Sequence, residues 1–200
     1  MPNNTQYDRN HIVSTAMNHF WDFGFSATSM NSLTKKPGIS RKGIYSLFSS
    51  KNELFIACLE KYKDDVVTPA FAQVEKKGAS LIDVKKYFET QIELADQSGF
   101  PGLGCLLGNT MTEIASHDDD IYQRTKAHHI RLKDGFLNAL RGEIGTSSDV
   151  VTRTEQVELA ELIACTTQGI WAYSRLANNA DELRSKVAML LKLVEVQIKK

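Results

Sequence analysis

Apolar side chains recur at spacings of three and four residues along nearly the whole chain, and no stretch alternates as a half-buried strand would. The pattern predicts an all-α fold. Ile12, Ala16, Phe20 and Phe23 form one face of a first helix over about Asp8–Phe23, which Gly24 ends as a C-cap. Thr28 or Ser29 caps a second helix that carries Met30 and Leu33 inward, and Pro37 and Gly38 close it. Ser40 caps a short third helix through Tyr45, Leu47 and Phe48. Ser50 and Glu53 read as a capping box for a long fourth helix, which Pro69 should kink or split. Leu54, Phe55, Cys58, Leu59 and Tyr62 lie on its inner side.

Beyond Gly78 the helical periodicity resumes over Leu81–Ala95. Ser98–Cys105 is the one Gly/Pro-dense loop, and Cys105–Ser116 reads as helix again. Acids at 118–120 head a further helix to about Arg141, where the dipole favours them, with Ile121, Ile130, Phe136 and Leu140 as apolar positions. Gly142–Asp149 reads as a linker, and two helices, about Arg153–Ala177 and Ala180–Ile198, close the chain.

Charge divides along this path. Met1–Glu53 holds six bases against three acids, and the rest 18 against 21, for a net charge of zero. A uniformly basic protein is excluded, whereas an N-terminal module that meets a polyanion is not. No apolar run approaches the roughly 18 residues that span a bilayer, and the polar start MPNNTQYDRN has no secretory core. Three cysteines, odd in number and far apart, argue against a disulfide framework and for a reducing cytoplasm.

The first 55 residues carry the strongest functional signal. A short helix, a turn at Pro37-Gly38 and a second short helix beginning Ser40-Arg41-Lys42 make a helix-turn-helix pattern. A helix N-terminus offers unpaired N–H groups to a phosphate. Arg41 and Lys42 stand in the turn that meets base edges when such a helix enters the major groove. Gly43 allows close approach, the Tyr45 hydroxyl can reach a phosphate, and Lys51 is expected to face the same way. Thr28, Ser29 and Ser40 complete this set, although capping alone also accounts for the serines.

These residues resemble the TetR family of bacterial transcriptional repressors. The match lies in Gly24–Met30 (GFSATSM) and Pro37–Phe55 (PGISRKGIYSLFSSKNELF), with departures at Thr34, Pro37 and Leu47. The resemblance implies a DNA-binding domain over residues 1–49 and a helical ligand-binding and dimerisation domain over 50–200. It implies a homodimer on a pseudo-palindromic DNA operator, with recognition helices about 34–36 Å apart. It also implies release by a small-molecule effector.

The last helix carries Leu183, Val187, Leu190, Leu191 and Val194 as a stripe, and the helix before it, apolar around much of its circumference, adds Ile170. A helix apolar all round must be buried on both sides, so these residues are expected at the dimer interface. Tyr62, Phe88, Met111, Gln168 and Trp171, with Asn109 as a polar anchor, are expected around a ligand pocket.

Cys105 opens a helix after the Gly/Pro loop, in a Gly-Cys-Leu step that resembles family members sensing electrophiles and oxidants. A thiol there has a stabilised thiolate, so a repressor controlled by covalent change at Cys105 is the rival within this fold. Cys58 and Cys165 read as inert core. A helical-bundle enzyme or a binding protein without DNA contact is the rival from another class, but GLGCLL follows no strand and lacks the third glycine of a dinucleotide loop. No catalytic residue, cofactor or metal is expected. His128 and His129, near His117 and the acids at 118–120, are adjacent and so face different sides of a helix.

Overall fold

The computed structural model describes residues 8–36, 38–144 and 151–199. Ten α-helices follow in order: α1 (Arg9–Phe23), α2 (Met30–Leu33), α3 (Arg41–Leu47), α4 (Lys51–Tyr62), α5 (Thr68–Glu75), α6 (Leu81–Ser98), α7 (Leu106–Glu113), α8 (Asp119–Ile144), α9 (Arg153–Tyr173) and α10 (Ala180–Ile198). The described residues contain no strand, as the periodicity predicts.

Local chemistry sets the boundaries of the small N-terminal helices. Asp8 caps α1 by accepting the N–H groups of Asn10 and His11. Gly24 ends it at φ +82°, a value that side chains with a Cβ seldom adopt. Ser29 and Ser32 cap each other across the start of α2, and the Ser40 hydroxyl accepts the Gly43 N–H at 2.9 Å at the head of α3. The Ser50 hydroxyl accepts the Glu53 N–H as expected, but Glu53 does not close the box on Ser50. Its carboxylate takes the N–H and hydroxyl of Ser49, at 2.7 and 2.6 Å.

Pro69 stands at the start of α5, and the long fourth helix expected from the sequence is divided just before it. A π turn over Lys63–Val67 joins α4 to α5. Proline cannot bond the carbonyl four residues back and crowds it, and a wider turn just before it relieves both problems. The expected linker also starts late. Gly142, Glu143 and Ile144 belong to α8, where the Glu143 carboxylate accepts the Leu81 N–H at the head of α6; residues 145–149 lie outside the described residues. At the far end α9 stops at Tyr173, four residues earlier than expected.

Two apolar cores organise these helices. One joins α1–α4 to Leu106, Leu107, Ile114 and Ile121, so the N-terminal core reaches well past Ser49. The other is built by α5, α6 and α8–α10 around Phe71, Phe88 and Phe136. Phe23, expected in the first, is 54% exposed, because the chain turns away at Gly24 and leaves its ring against the His19 ring and the Lys36 ammonium. Ile130 on α8 is exposed as well.

The expected dimer stripe faces the wrong way. Ile170, Leu183, Val187, Leu190, Leu191 and Val194 are all buried in the chain's own second core. Its amphipathic period put the most regular apolar stripe on the inside, and α10 carries a second one outside. Met189, Leu193 and Val196 recur there at i, i+4 and i+7, each more than half exposed. Outward positions of α9 run Leu162, Cys165, Gly169 and Ala172, with Leu176 just beyond its end. Cys165, expected as core, is therefore exposed, whereas Cys58 is buried and its thiol is pushed up by burial.

Candidate nucleic-acid interface and sensor cavity

The helix-turn-helix presents a polar outer face. Ile44 and Phe48 anchor α3 in the N-terminal core, which turns Arg41, Lys42 and Tyr45 outward. The Arg41 guanidinium lies 5.7 Å from the centre of the Tyr45 ring, which restrains both side chains on one surface. Ser29 and Ser40 are exposed at the helix starts. The remaining residues expected here point inward. Gly43 is buried, and Thr28 is buried with its hydroxyl donating to the Gly24 carbonyl at 2.7 Å.

Lys51 is turned into the protein as well. Its ammonium donates to the Phe25 and Thr28 carbonyls, both at 2.9 Å, and sits 4.0 Å from the centre of the Phe25 ring. Burial lowers its pKa, with Glu113 acting in the opposite direction. The residue fastens the α1–α2 turn to α4.

Further contacts tie this reading head, and the start of α4 behind it, to the rest of the chain. The Glu113 carboxylate, at the end of α7, accepts the Phe25 N–H at 3.0 Å and the Ser26 N–H at 2.7 Å. Gly24 makes room for that reach, since a Cβ there would meet the carboxylate at 3.0 Å. The Trp21 indole donates to the Gly104 carbonyl at 3.1 Å, and the Asn52 amide donates to Asp118 at 2.9 Å.

Behind these contacts lies a cavity of about 550 Å³, within the range of small-molecule sites. Of the expected pocket residues, Tyr62, Cys105, Gln168 and Trp171 line it. Phe88 does not: it is fully buried and packs against Phe136 and Trp171. Met111 is exposed on the outer side of α7. Asn109 holds the loop instead, its amide donating to the Leu103 carbonyl at 2.9 Å. Sequence reasoning missed Trp21, His128 and Tyr87, which also line the cavity. Trp21 lies beside the apolar face of α1 rather than on it, a signal that a large aromatic has a second neighbour to pack against. That neighbour is Tyr62, edge-on at 4.9 Å.

Cys105 occupies the N-cap position of α7. Its sulfur lies 3.7 Å from His128 Nε2. Burial opposes ionisation of this thiol, but the facing His128, together with the Gly108 N–H and the Tyr62 hydroxyl, outweighs it and holds the pKa below the ordinary value. Burial and the neighbouring Cys105 raise the Tyr62 hydroxyl in turn. His128 and His129 do face different sides, since His129 turns away to Glu161 on α9.

The family profile of the bacterial regulatory proteins, tetR family, matches residues 12–58, which run from α1 through the helix-turn-helix into α4. The chain is 29% identical over 196 residues to the HTH-type transcriptional repressor ComR of Escherichia coli K12, covering 94% of this chain and 89% of the relative. The chain is a TetR-type DNA-binding transcriptional regulator. A TetR-family regulator from Agrobacterium tumefaciens shares the fold at a TM-score of 0.79, 18% identity and coverage of 92% and 95%. The TetR-family regulator CifR, a cysteine mutant solved with a 26-bp double-strand operator DNA, shares it at 0.78, 21% identity and coverage of 93% and 96%. These relatives and neighbours are transcriptional regulators, which agrees with the non-enzyme reading. No described helix is long and apolar enough to cross a membrane.

Proposed function

We propose that this regulator is a homodimeric repressor, released from a pseudo-palindromic operator when an effector occupies the cavity. The reading head is the segment up to Ser49, and the sensor and dimerisation domain begins at Ser50. Arg41 and Lys42 read base edges, Tyr45 reaches phosphate, and Ser29 and Ser40 add contacts from the two helix starts. The observation that carries the proposal is α7. Its first residue follows Cys105 in the cavity wall, and its last, Glu113, grips the Phe25–Ser26 turn of the reading head. Trp21 gives α1 a second stake in the cavity. An effector that favours one position of α7 or Trp21 therefore changes the position of α3. Only its difference in affinity between the two arrangements can do so.

The cavity combines aromatic and aliphatic walls with polar groups that include Asn18, Asp22, Gln91, His128 and Gln168, which suits an effector with an apolar body and several hydrogen-bonding groups. Dimerisation uses the outward stripe of α10 together with Leu162 and Gly169 of α9, while Cys165 lies toward His129 on α8. Leu162, Met189, Leu193 and Val196 supply apolar contact, while Gly169 has open space where a side chain would stand.

Selection of bound DNA from a random pool tests the core of this reading. Half-sites about one helical turn apart are expected, and failure to enrich any sequence at low salt would overturn it. Glu113→Gln should keep the selected sequence and reduce its release by effector. A second control route is favoured by the Cys105–His128 contact: covalent change at Cys105 adds volume to a packed wall, which does not absorb it gradually.

A further inference from the structure

One cluster of metal-ligating side chains lies outside the cavity and the reading head. On the outer surface between α8 and α9, His129, Glu161 and Cys165 bring an imidazole nitrogen, a carboxylate oxygen and a sulfur within 4.8 Å of one another. Glu161 and Cys165 stand at i and i+4 on α9, so they share a face, and His129 meets them from α8. His129 Nε2 lies 2.5 Å from Glu161 Oε1. We propose that this cluster is a binding site for a divalent cation of the zinc class.

The donor set decides the class of ion. Magnesium and calcium take oxygen ligands, whereas imidazole with thiolate suits zinc and its neighbours. A tetrahedral zinc with bonds of about 2.0–2.3 Å holds its ligand atoms roughly 3.3–3.8 Å apart. The three atoms therefore need only side-chain rotation: His129 and Glu161 separate slightly and Cys165 closes in. The ion takes the place of the hydrogen between His129 Nε2 and Glu161, which passes to His129 Nδ1, and it displaces the proton of the Cys165 thiol, so binding releases that proton. Water fills the fourth position.

An outer partner is already in place. The Gln168 amide lies 3.1 Å from His129 Nδ1, one further turn along the same face of α9. With Nε2 on the metal, Nδ1 carries the hydrogen, and the Gln168 carbonyl accepts it after the amide turns over. Such partners fix the ring orientation of a ligating histidine. Gln168 also lines the cavity. The proposed ion thus braces one cavity wall from behind, which gives the regulator an input separate from the cavity itself.

Cobalt(II) titration of the full reduced chain tests this. One Co²⁺ per chain is expected, with a thiolate-to-cobalt charge-transfer band and the visible bands of tetrahedral cobalt, both removed by added Zn²⁺. Cys165→Ser should lose the charge-transfer band. His129→Ala should lose tetrahedral binding, and Gln168→Leu should weaken it by about 10–100-fold. Cys58→Ser and Cys105→Ser should change neither. Absence of the bands in the wild type would overturn the proposal. So would bands that survive in Cys165→Ser but vanish in Cys105→Ser, which would move the ion to the Cys105–His128 pair.

Discussion

Helix α3 and the α9–α10 pair both turn a face to water, and the two faces are opposite in kind. The seven-residue α3 is held by Ile44 and Phe48 and shows Arg41, Lys42 and Tyr45 outside. The long α9 and α10 bury one apolar stripe and expose another, with Leu162 at 58% and Leu193 at 60%. A charged face is stable in water by itself and gains from an anion that arrives later. A contiguous apolar face has no such solvent and marks a surface that another protein covers. The sign of the exposed chemistry, rather than exposure alone, separates a nucleic-acid surface from a subunit seam.

The sharpest way to break that contrast is to put a charge on each stripe of α10. Leu193→Arg should leave the fold intact, because the side chain is already outside, and split the proposed dimer. An unpaired charge enclosed in an interface costs on the order of 3–5 kcal/mol, a hundredfold or more in dissociation constant. Leu191→Arg, two positions away and buried in the chain's own core, should instead lower the melting temperature steeply. Sedimentation and thermal melts read the two outcomes. A Leu193→Arg protein that remains dimeric at micromolar concentration would place the seam elsewhere.

The neighbouring positions show what periodicity alone can reach. The sequence pattern was sufficient for the ends of α1, α3 and α10, where Asp8, Ser40 and Asn179 cap with their own side chains. Those signals are local. The choice between two apolar stripes on one helix depends on which neighbour covers it, and no spacing rule contains that. Lys51 failed in the same way. As the first residue of a helix it could point outward or reach back, and the carbonyls of Phe25 and Thr28 decided the matter. In the cavity, Cys105 was legible from its position at a helix start, whereas His128, 23 residues later, was not.

The next effect in size concerns the polar face. Arg41→Ala should cost about 1–3 kcal/mol on the selected operator if the guanidinium reads a base, and much less on scrambled DNA. Tyr45→Phe should weaken both alike. Competition binding with the two DNAs measures the difference, and an equal loss from Arg41→Ala on both would reassign that residue to phosphate.

Lys51 separates charge used for DNA from charge used for the fold. Lys51→Ala removes a cation that serves two carbonyls, and hydrogen bonds to charged groups contribute about 1.5–3 kcal/mol. A comparable loss of unfolding free energy is expected. The dependence of DNA affinity on salt should keep its slope, because no phosphate contact is lost. A slope shallower by about one would show that the ammonium leaves the Phe25–Thr28 turn and meets the backbone of the DNA.

The smallest effect is the most local. The Cys105 thiol is held below its ordinary pKa chiefly because His128 faces it and outweighs burial. The thiolate is the reactive form, so the rate of alkylation should rise with pH and level off with a midpoint below that of a free cysteine, about 8.5. His128→Gln removes the imidazole that favours the thiolate and leaves burial unopposed by it, so the midpoint should move upward and the rate at neutral pH should fall. A cysteine in a short unstructured peptide supplies the comparison. If Cys105 titrates as the peptide thiol does, the His128 contact does not tune the thiol, and control by a reversible ligand is the reading that stands. If Cys105 ionises early yet its alkylation leaves the operator bound, the thiol is reactive without being coupled to α7. The grip of Glu113 on the Phe25–Ser26 turn would then transmit only what fills the cavity.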